Sequence, residues 1–346
     1  MIFLLIGFPA GLVSGAMLSV AGAALAGRPV LVPLPVARVI LVLVGISLGG
    51  VVTPEMLHGL AAFPLSIAVM TVSTICMVAA TTSYLRFVHG WDARSAVFGA
   101  SPGGLAQVMA LAAEYHADLR AIAIVQVMRV VLLTIGIPTG LALFGLSAAG
   151  VGVVRAGGGD SLAELVLLIA ASTFCGLVMV RLRLPGGLLF GAMIGSAILH
   201  GGAFIHTALP VWVVGISVIG IGAVTGARFA NTDPRTLLRY IGAALGSFAV
   251  ALAVASAFVL VLTALLSVRI ADAVVAFAPG AQDTMMVLAL SLHLDPIFVG
   301  AHHLWRFMLV SLSLPLQVRR ASKTLPAPED KPTDRLTPRK PKQFED

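Results

Sequence analysis

Apolar residues run through this chain in long blocks separated by short polar punctuation. The blocks predict about eleven helical segments: 8–26, 36–52, 60–85, 95–116, 119–145, 162–182, 187–200, 210–227, 237–266, 270–292 and 296–317. Turn signals divide them at Arg28-Pro29 to Pro35, Thr53-Pro54, His89-Gly90-Trp91-Asp92, Pro185-Gly186-Gly187 and Asn231-Thr232-Asp233-Pro234. Two segments, 11–26 and 187–200, are short against the roughly 20 residues that a membrane span needs. Two others are interrupted, 95–116 by Ser101-Pro102-Gly103-Gly104 and 270–292 by Ala278-Pro279-Gly280-Ala281. Proline removes a backbone donor and clashes with the preceding turn, so each interruption should break its helix.

The pattern occurs twice. At an offset of 177, Pro102, Gly103, Met109, Leu111, Ala112, His116, Asp118 and Arg129 recur as Pro279, Gly280, Met286, Leu288, Ala289, His293, Asp295 and Arg306. Upstream, residues 9–18 match 185–194 at an offset of 176. Such a duplication divides the chain into a first repeat over 1–150 and a second over 160–318, joined near Gly157-Gly158-Gly159-Asp160. A full apolar helix precedes Pro185 but only eight residues precede Pro9, so the reading frame is expected to open upstream of Met1. Residues 321–346, with five prolines and 11 charges, read as a disordered polar tail.

Composition turns these helices into membrane helices. Charged residues make up 11% of the chain and hydrophobic ones 59%, against about 25% charged in an average soluble domain. The fold class expected is an all-α membrane protein, multi-pass in the bacterial inner membrane. Its partners are the lipid bilayer and a small-molecule solute, and a homo-oligomer is compatible with it. The net charge of +7 reads as loop charge facing an anionic leaflet, with no direct nucleic-acid binding. Cys76 and Cys175 lie singly in apolar segments and read as buried hydrophobes. Arg28, Arg38, Arg86 and Arg94 place loops 27–35 and 86–94 in the cytoplasm. Eleven alternating spans then put Arg181, Arg183, Arg228, Arg235 and Arg239 outside, which is unfavourable. One segment should therefore fail to span, and the short 187–200 is the leading suspect.

The candidate chemistry gathers at the breaks. Short or Gly/Pro-broken segments at matching places in two halves point to a transporter's central site, here Pro102, Gly103, Gly104, Pro279 and Gly280. Asp118 and Asp295 read as helix N-caps, with a cation-binding carboxylate as the alternative. His116 and His293 read as positions of positive φ where the preceding helix closes. Arg129 and Arg306 each lie 11 residues past a cap, about 16 Å along a helix and near the middle of the hydrocarbon. A charge there needs a partner or a cavity. Gln126 lies one turn before Arg129; His302 and His303 lie one turn before Arg306. Gln107, Asp283 and Thr284 follow the breaks and can join them. Two readings of the arginines stay open. They bind an anionic solute together with half-helix N-termini, or they neutralise the C-terminal ends of the half-helices before Pro102 and Pro279, or pair with Asp283 or Glu114. No catalytic constellation, metal-ligand spacing, cofactor loop or nucleophile elbow occurs, so the chain reads as a non-enzyme without metal or cofactor.

These residues resemble the AbrB duplication family of bacterial membrane proteins. The resemblance rests on Ser-Pro-Gly-Gly-Leu-Ala-Gln-x-Met at 101–109, Gln126-x-x-Arg129, Ala-Pro-Gly at 278–280, Asp-Pro-x-Phe-Val at 295–299 and His303-x-x-Arg306, and covers about residues 1–318. His116 and His293 stand where the family usually carries Gly. The resemblance implies the family's labels of gene-expression regulation, transport and ammonia monooxygenase. It also implies a fold-level likeness to cation/proton antiporters and anion transporters, in which two broken helices cross at midplane. Of these, a secondary transporter of a small, anionic solute fits the residues best. A solute-sensing regulator comes second, and the monooxygenase label lacks a metal site.

Overall fold

The structure is a computed structural model that describes residues 10–28, 30–50, 63–103, 105–146, 161–184, 186–202, 204–230 and 232–323. The start of the chain, the Gly157–Asp160 linker and the tail beyond Lys323 lie outside these residues. The described chain forms thirteen α-helices: α1 Gly11–Leu25, α2 Leu34–Gly49, α3 Phe63–Phe87, α4 Ala93–Ala100, α5 Leu105–Glu114, α6 Leu119–Leu143, α7 Leu162–Arg181, α8 Gly187–Gly201, α9 Val211–Gly226, α10 Pro234–Leu265, α11 Ile270–Phe277, α12 Gln282–Ser291 and α13 Pro296–Lys323. A 3₁₀ turn, Ala227–Phe229, extends α9. Helix α13 runs on through the first residues expected of the tail. Six helices are long and apolar enough to cross a membrane, and α1, α2 and α8 are shorter apolar helices. Helix α7 turns Leu162, Val166, Leu167, Phe174, Leu177 and Val180 outward, as a helix facing lipid does. Helix α6, which carries Arg129, is the most enclosed of the six, with 72% of its apolar window buried.

At both Pro-Gly breaks the chain turns back on itself. The N–H of Asp118, after α5, donates to Ser95 Oγ in the first turn of α4 at 2.8 Å. Arg94, one residue earlier, reaches the Tyr115 carbonyl at 3.3 Å. The start of α4 and the end of α5 therefore lie side by side. The same contact recurs 177 residues on, where the N–H of Asp295 donates to Asp272 Oδ1 at 2.9 Å. Helices α4–α5 and α11–α12 are thus hairpins whose two ends share one level. The segments expected to be broken at Pro-Gly therefore double back. The short segment 187–200 forms the 15-residue helix α8, which is shorter than the six candidate spans.

Two groups of helices share the molecule. One holds α1, α2, α7, α8 and α9; the other holds α3 to α6 and α10 to α13, with α12 touching α2 and α9 between them. The first group is welded by glycine. Gly45 and Gly49 of α2 lie against the backbone of α8 at Leu189 and Met193, so that a Cβ on either would collide. Gly222 and Gly226 of α9 meet α1 at Val13 and Met17 in the same way. Both pairs are Gly-x-x-x-Gly, the spacing that puts two glycines on one helix face and lets backbones touch. Ser196 Oγ of α8 adds a hydrogen bond to the Ile46 carbonyl of α2 at 2.8 Å. We expect Gly226→Ala to cost about 1–3 kcal/mol by overpacking, whereas Gly215→Ala on the same helix, with nothing within 4 Å, is tolerated. Thermal unfolding of the two variants in one detergent checks this; equal melting temperatures would remove the close-approach account.

Candidate functional site

The first hairpin starts with a capped helix, and a capped helix follows each hairpin. Asp92 Oδ1 accepts from the N–H groups of Arg94 and Ser95, both at 3.0 Å, and starts α4. Asp118 Oδ1 accepts from Arg120 and Ala121, both at 3.1 Å, and starts α6. Asp295 Oδ1 accepts from Ile297 at 2.9 Å and Phe298 at 3.0 Å and starts α13. Capping is therefore what the two aspartates do, and burial pushes the Asp295 carboxyl up from the ordinary carboxylate range. His116 and His293 close the preceding helices at φ 54° and 55°, in the left-handed region where a side chain is uncommon. At the foot of the first hairpin a polar cleft of about 370 Å³ opens between Trp91, Asp92, Asp118 and Tyr240.

The tips pose the harder problem. Helix α4 stops because Ser101, before Pro102, takes an extended conformation, φ −62° and ψ 118°. Gly103 then turns the chain at φ 148°, which favours glycine. A helix that stops leaves its last carbonyls without intrahelical partners. Here side chains of α6 supply the donors. Gln126 Nε2 donates to the Phe98 carbonyl at 2.9 Å. Arg129 donates to Gly99 at 3.2 Å, Ala100 at 3.2 Å and Ser101 at 3.3 Å. Ser101 Oγ covers the Val97 carbonyl at 2.7 Å.

The second tip is treated alike, from α13. His303 Nε2 donates to the Val275 carbonyl at 3.0 Å, and Arg306 donates to the Phe277 carbonyl at 3.2 Å. Arg306 also donates to His303 Nδ1 at 2.6 Å. A carbonyl can only accept and a guanidinium can only donate, so His303 is neutral with its proton on Nε2. His302 points elsewhere. Its Nδ1 donates to the Phe298 carbonyl at 2.7 Å, and its Nε2 accepts from Ser66 Oγ of α3 at 2.9 Å.

Arg129 and Arg306 are buried, 4% and 2% exposed. Among the described residues neither makes a salt bridge. Glu114 is exposed and does not pair with them. Asp283, half-buried in the first turn of α12, interacts instead with Arg228 at the end of α9. Both guanidinia are therefore drawn to their breaks by carbonyl dipoles, leaving two like charges without a carboxylate beside them. Gly104 and the side chain of Gln107 lie outside the described residues.

Sequence reasoning missed four participants. Ser95 and Asp272 fasten the hairpin feet, and Arg269 holds Asp272 through two hydrogen bonds at 2.6 Å and 3.1 Å. The available signal was their placement, each 23 residues before an equivalent aspartate. Arg228, 55 residues before Asp283, gave no local signal. The hydrogen-bond arrangement also predicts an exchange. Gln126→Leu strips the Phe98 carbonyl of its donor and should cost about 1–3 kcal/mol. Gln126→His should recover much of the loss, because His303 serves Val275 from the matching position. Melting temperatures of the two variants decide; equal losses would mean that packing, not the donor, matters.

The family described as transition state regulatory protein AbrB matches residues 12–322. A protein of Escherichia coli (strain K12), whose name carries AbrB and the word regulator, is 27% identical over 341 residues, covering 94% of this chain and 93% of its own length. YhjN of Bacillus subtilis (strain 168) is 28% identical over 289 residues, covering 79% of this chain and 75% of its own. No solved structure matches the chain significantly.

Proposed function

The chain belongs to the AbrB family, and on that premise we propose that it is a multi-pass inner-membrane protein of two inverted repeats, a secondary transporter of a small solute bearing an anionic group. The observation that carries this reading is the pair of buried guanidinia at the two hairpin tips. They form a concentrated positive charge, deep in an apolar molecule, that carbonyl dipoles only partly offset. An anionic group arriving there meets two cations already desolvated and held in place.

The charge of the loops supports the inverted arrangement. With both hairpins re-entrant, loops 27–33 and 88–92 are cytoplasmic and the chain then crosses on α6, α7, α8, α9, α10 and α13. Arg181, Arg183, Arg228, Arg235, Arg239, Arg319, Arg320 and Lys323 then fall on the cytoplasmic side with Arg28, Arg38, Arg86, Arg94 and Arg120. Arg155, between α6 and α7 in the sequence, and Arg269, at the foot of the second hairpin, fall on the other. The conflict that eleven full spans create disappears, and the two hairpins enter from opposite faces. A Cys at Gly90 should accordingly react with an impermeant maleimide only from the cytoplasm, and a Cys at Ser267 only from outside, in a chain with Cys76 and Cys175 replaced by Ser. Both labelling from one face would sink the inverted topology.

On this reading the chain is not an enzyme, has no cofactor and touches no nucleic acid. The second reading, a membrane sensor whose solute occupancy alters gene expression, is favoured by the name of the Escherichia coli relative. Proteoliposomes separate the two. A transporter should exchange at least one labelled mono- or dicarboxylate or amino acid saturably across the bilayer. A sensor should bind such a solute, by thermal shift, without flux. Neither binding nor flux across those three classes would end the transporter reading.

A further inference from the structure

The two tips ask different amounts of their arginines. At the repeat offset of 177, Ala276, Phe277 and Ala278 stand where the first half has Gly99, Ala100 and Ser101. Arg129 serves all three carbonyls of the first set. Arg306 serves Phe277 alone. The reason lies in the turn. The N–H of Gly280 donates to the Ala278 carbonyl at 2.8 Å and closes a γ-turn over Pro279. The chain itself thus covers the position that Arg129 covers at Ser101. Gly103 takes φ 148° instead, and among the described residues its N–H makes no such bond to Ser101.

This difference decides what each guanidinium has left. Arginine carries five N–H groups, one on Nε and two on each terminal nitrogen. In Arg129, Nη2 holds the Gly99 and Ser101 carbonyls and Nη1 holds Ala100. A carboxylate taken fork to fork needs an N–H of Nη2, paired with Nε on one edge of the plane or with Nη1 on the other. Arg129 can therefore offer neither edge without dropping a carbonyl. In Arg306, Nη1 holds Phe277 and Nη2 holds His303, while Nε has no partner among the described residues. An N–H remains on each of its nitrogens, in a side chain that is 2% exposed. Donors left unspent at that depth are costly, and an anionic acceptor relieves the cost.

We infer that the two arginines divide the work: Arg306 binds the solute, taking its carboxylate on the N–H groups still free, while Arg129 is committed to holding the first break. This division rests on the transporter reading and names the residue that carries the anionic group. Arg129 lends the site its charge and keeps its hydrogen bonds for the backbone. Helix α13 packs on α4 as well as on its own hairpin, so a carboxylate on Arg306 stays beside both broken segments.

Lysine at each site tests the division, because it keeps the charge and loses the fork. The full chain is reconstituted in proteoliposomes, with labelled lactate, succinate and alanine as probes. For a probe that the wild type exchanges, Arg306→Lys should raise the half-saturating concentration about tenfold, and Arg129→Lys should raise it less. In detergent the order should reverse. Arg129→Lys should melt about 3 °C below Arg306→Lys, because it strips more carbonyls of their donor. An Arg129→Lys chain that fails to fold is the extreme of that result and supports the division, and Arg306→Lys still judges the binding. Three results overturn it: Arg306→Lys exchanging like the wild type, both variants raising the half-saturating concentration equally, or Arg306→Lys melting as low as Arg129→Lys. In each of these the transporter reading stands, because the wild type exchanges its probe. If the wild type exchanges none of the three, the transporter reading falls and the division falls with it.

Discussion

The structure depends on one constraint: a helix that ends inside an apolar layer must find donors for its last carbonyls. Water cannot supply them, and each carbonyl left bare costs free energy comparable to a lost hydrogen bond. Helices α4 and α11 end there, and every observed peculiarity of the centre answers to that. The donors come from two neighbouring helices, one turn apart on each: Gln126 and Arg129 on α6, His303 and Arg306 on α13. A guanidinium suits the task because its planar fork serves several carbonyls at once. Arg129 reaches three in a row. The charge that makes Arg costly in an apolar site is the same charge that the carboxyl end of a helix dipole attracts.

Hairpins of this length need a matching frame. Eight- and ten-residue arms reach roughly 12–15 Å at 1.5 Å per residue, about half of the hydrocarbon layer. Arms of this length entering such a layer from one face would end near its middle. The frame beside them is correspondingly compact: α1 and α8 have 15 residues each, and their partners α9 and α2 approach to backbone contact through paired glycines. Close approach replaces side-chain interdigitation there, which makes the frame intolerant of added volume. The hairpins, by contrast, are held by polar side chains on neighbouring helices.

Much of this was legible in the sequence, and the limits have physical reasons. Helix positions followed from apolar blocks and turn residues to within a few residues. The aspartate caps, the positive φ of His116 and His293 and the nearness of each Arg to its break followed from spacing. The reversal at the tips did not. An apolar helix broken by Pro-Gly has the same composition whether it continues or doubles back; only cross-contacts such as Asp118 to Ser95 distinguish the two. The charge imbalance of the loops says that one segment breaks the alternation of spans, not which one. The Arg228–Asp283 relation was beyond reach for another reason. It joins helices that no local pattern brings together, and Asp283 lies nearer in sequence to Arg306, which already has its partners.

The two halves share their backbone solutions and differ in their charges. Both tips are fastened by a Gln- or His-plus-Arg pair, and both feet by a contact to the N–H of a capping aspartate. Yet the first foot uses the neutral Ser95 where the second uses Asp272 bound to Arg269, and Gln126 stands where the second half has His303. Repeated repairs are what the constraint demands, since both hairpins face the same loss of backbone partners. Nothing in that constraint demands the extra charges. The first hairpin has its own charges, Asp92, Arg94 and Glu114, at different positions, so the halves differ in where charge stands, while the repair of the broken backbone is what they hold in common.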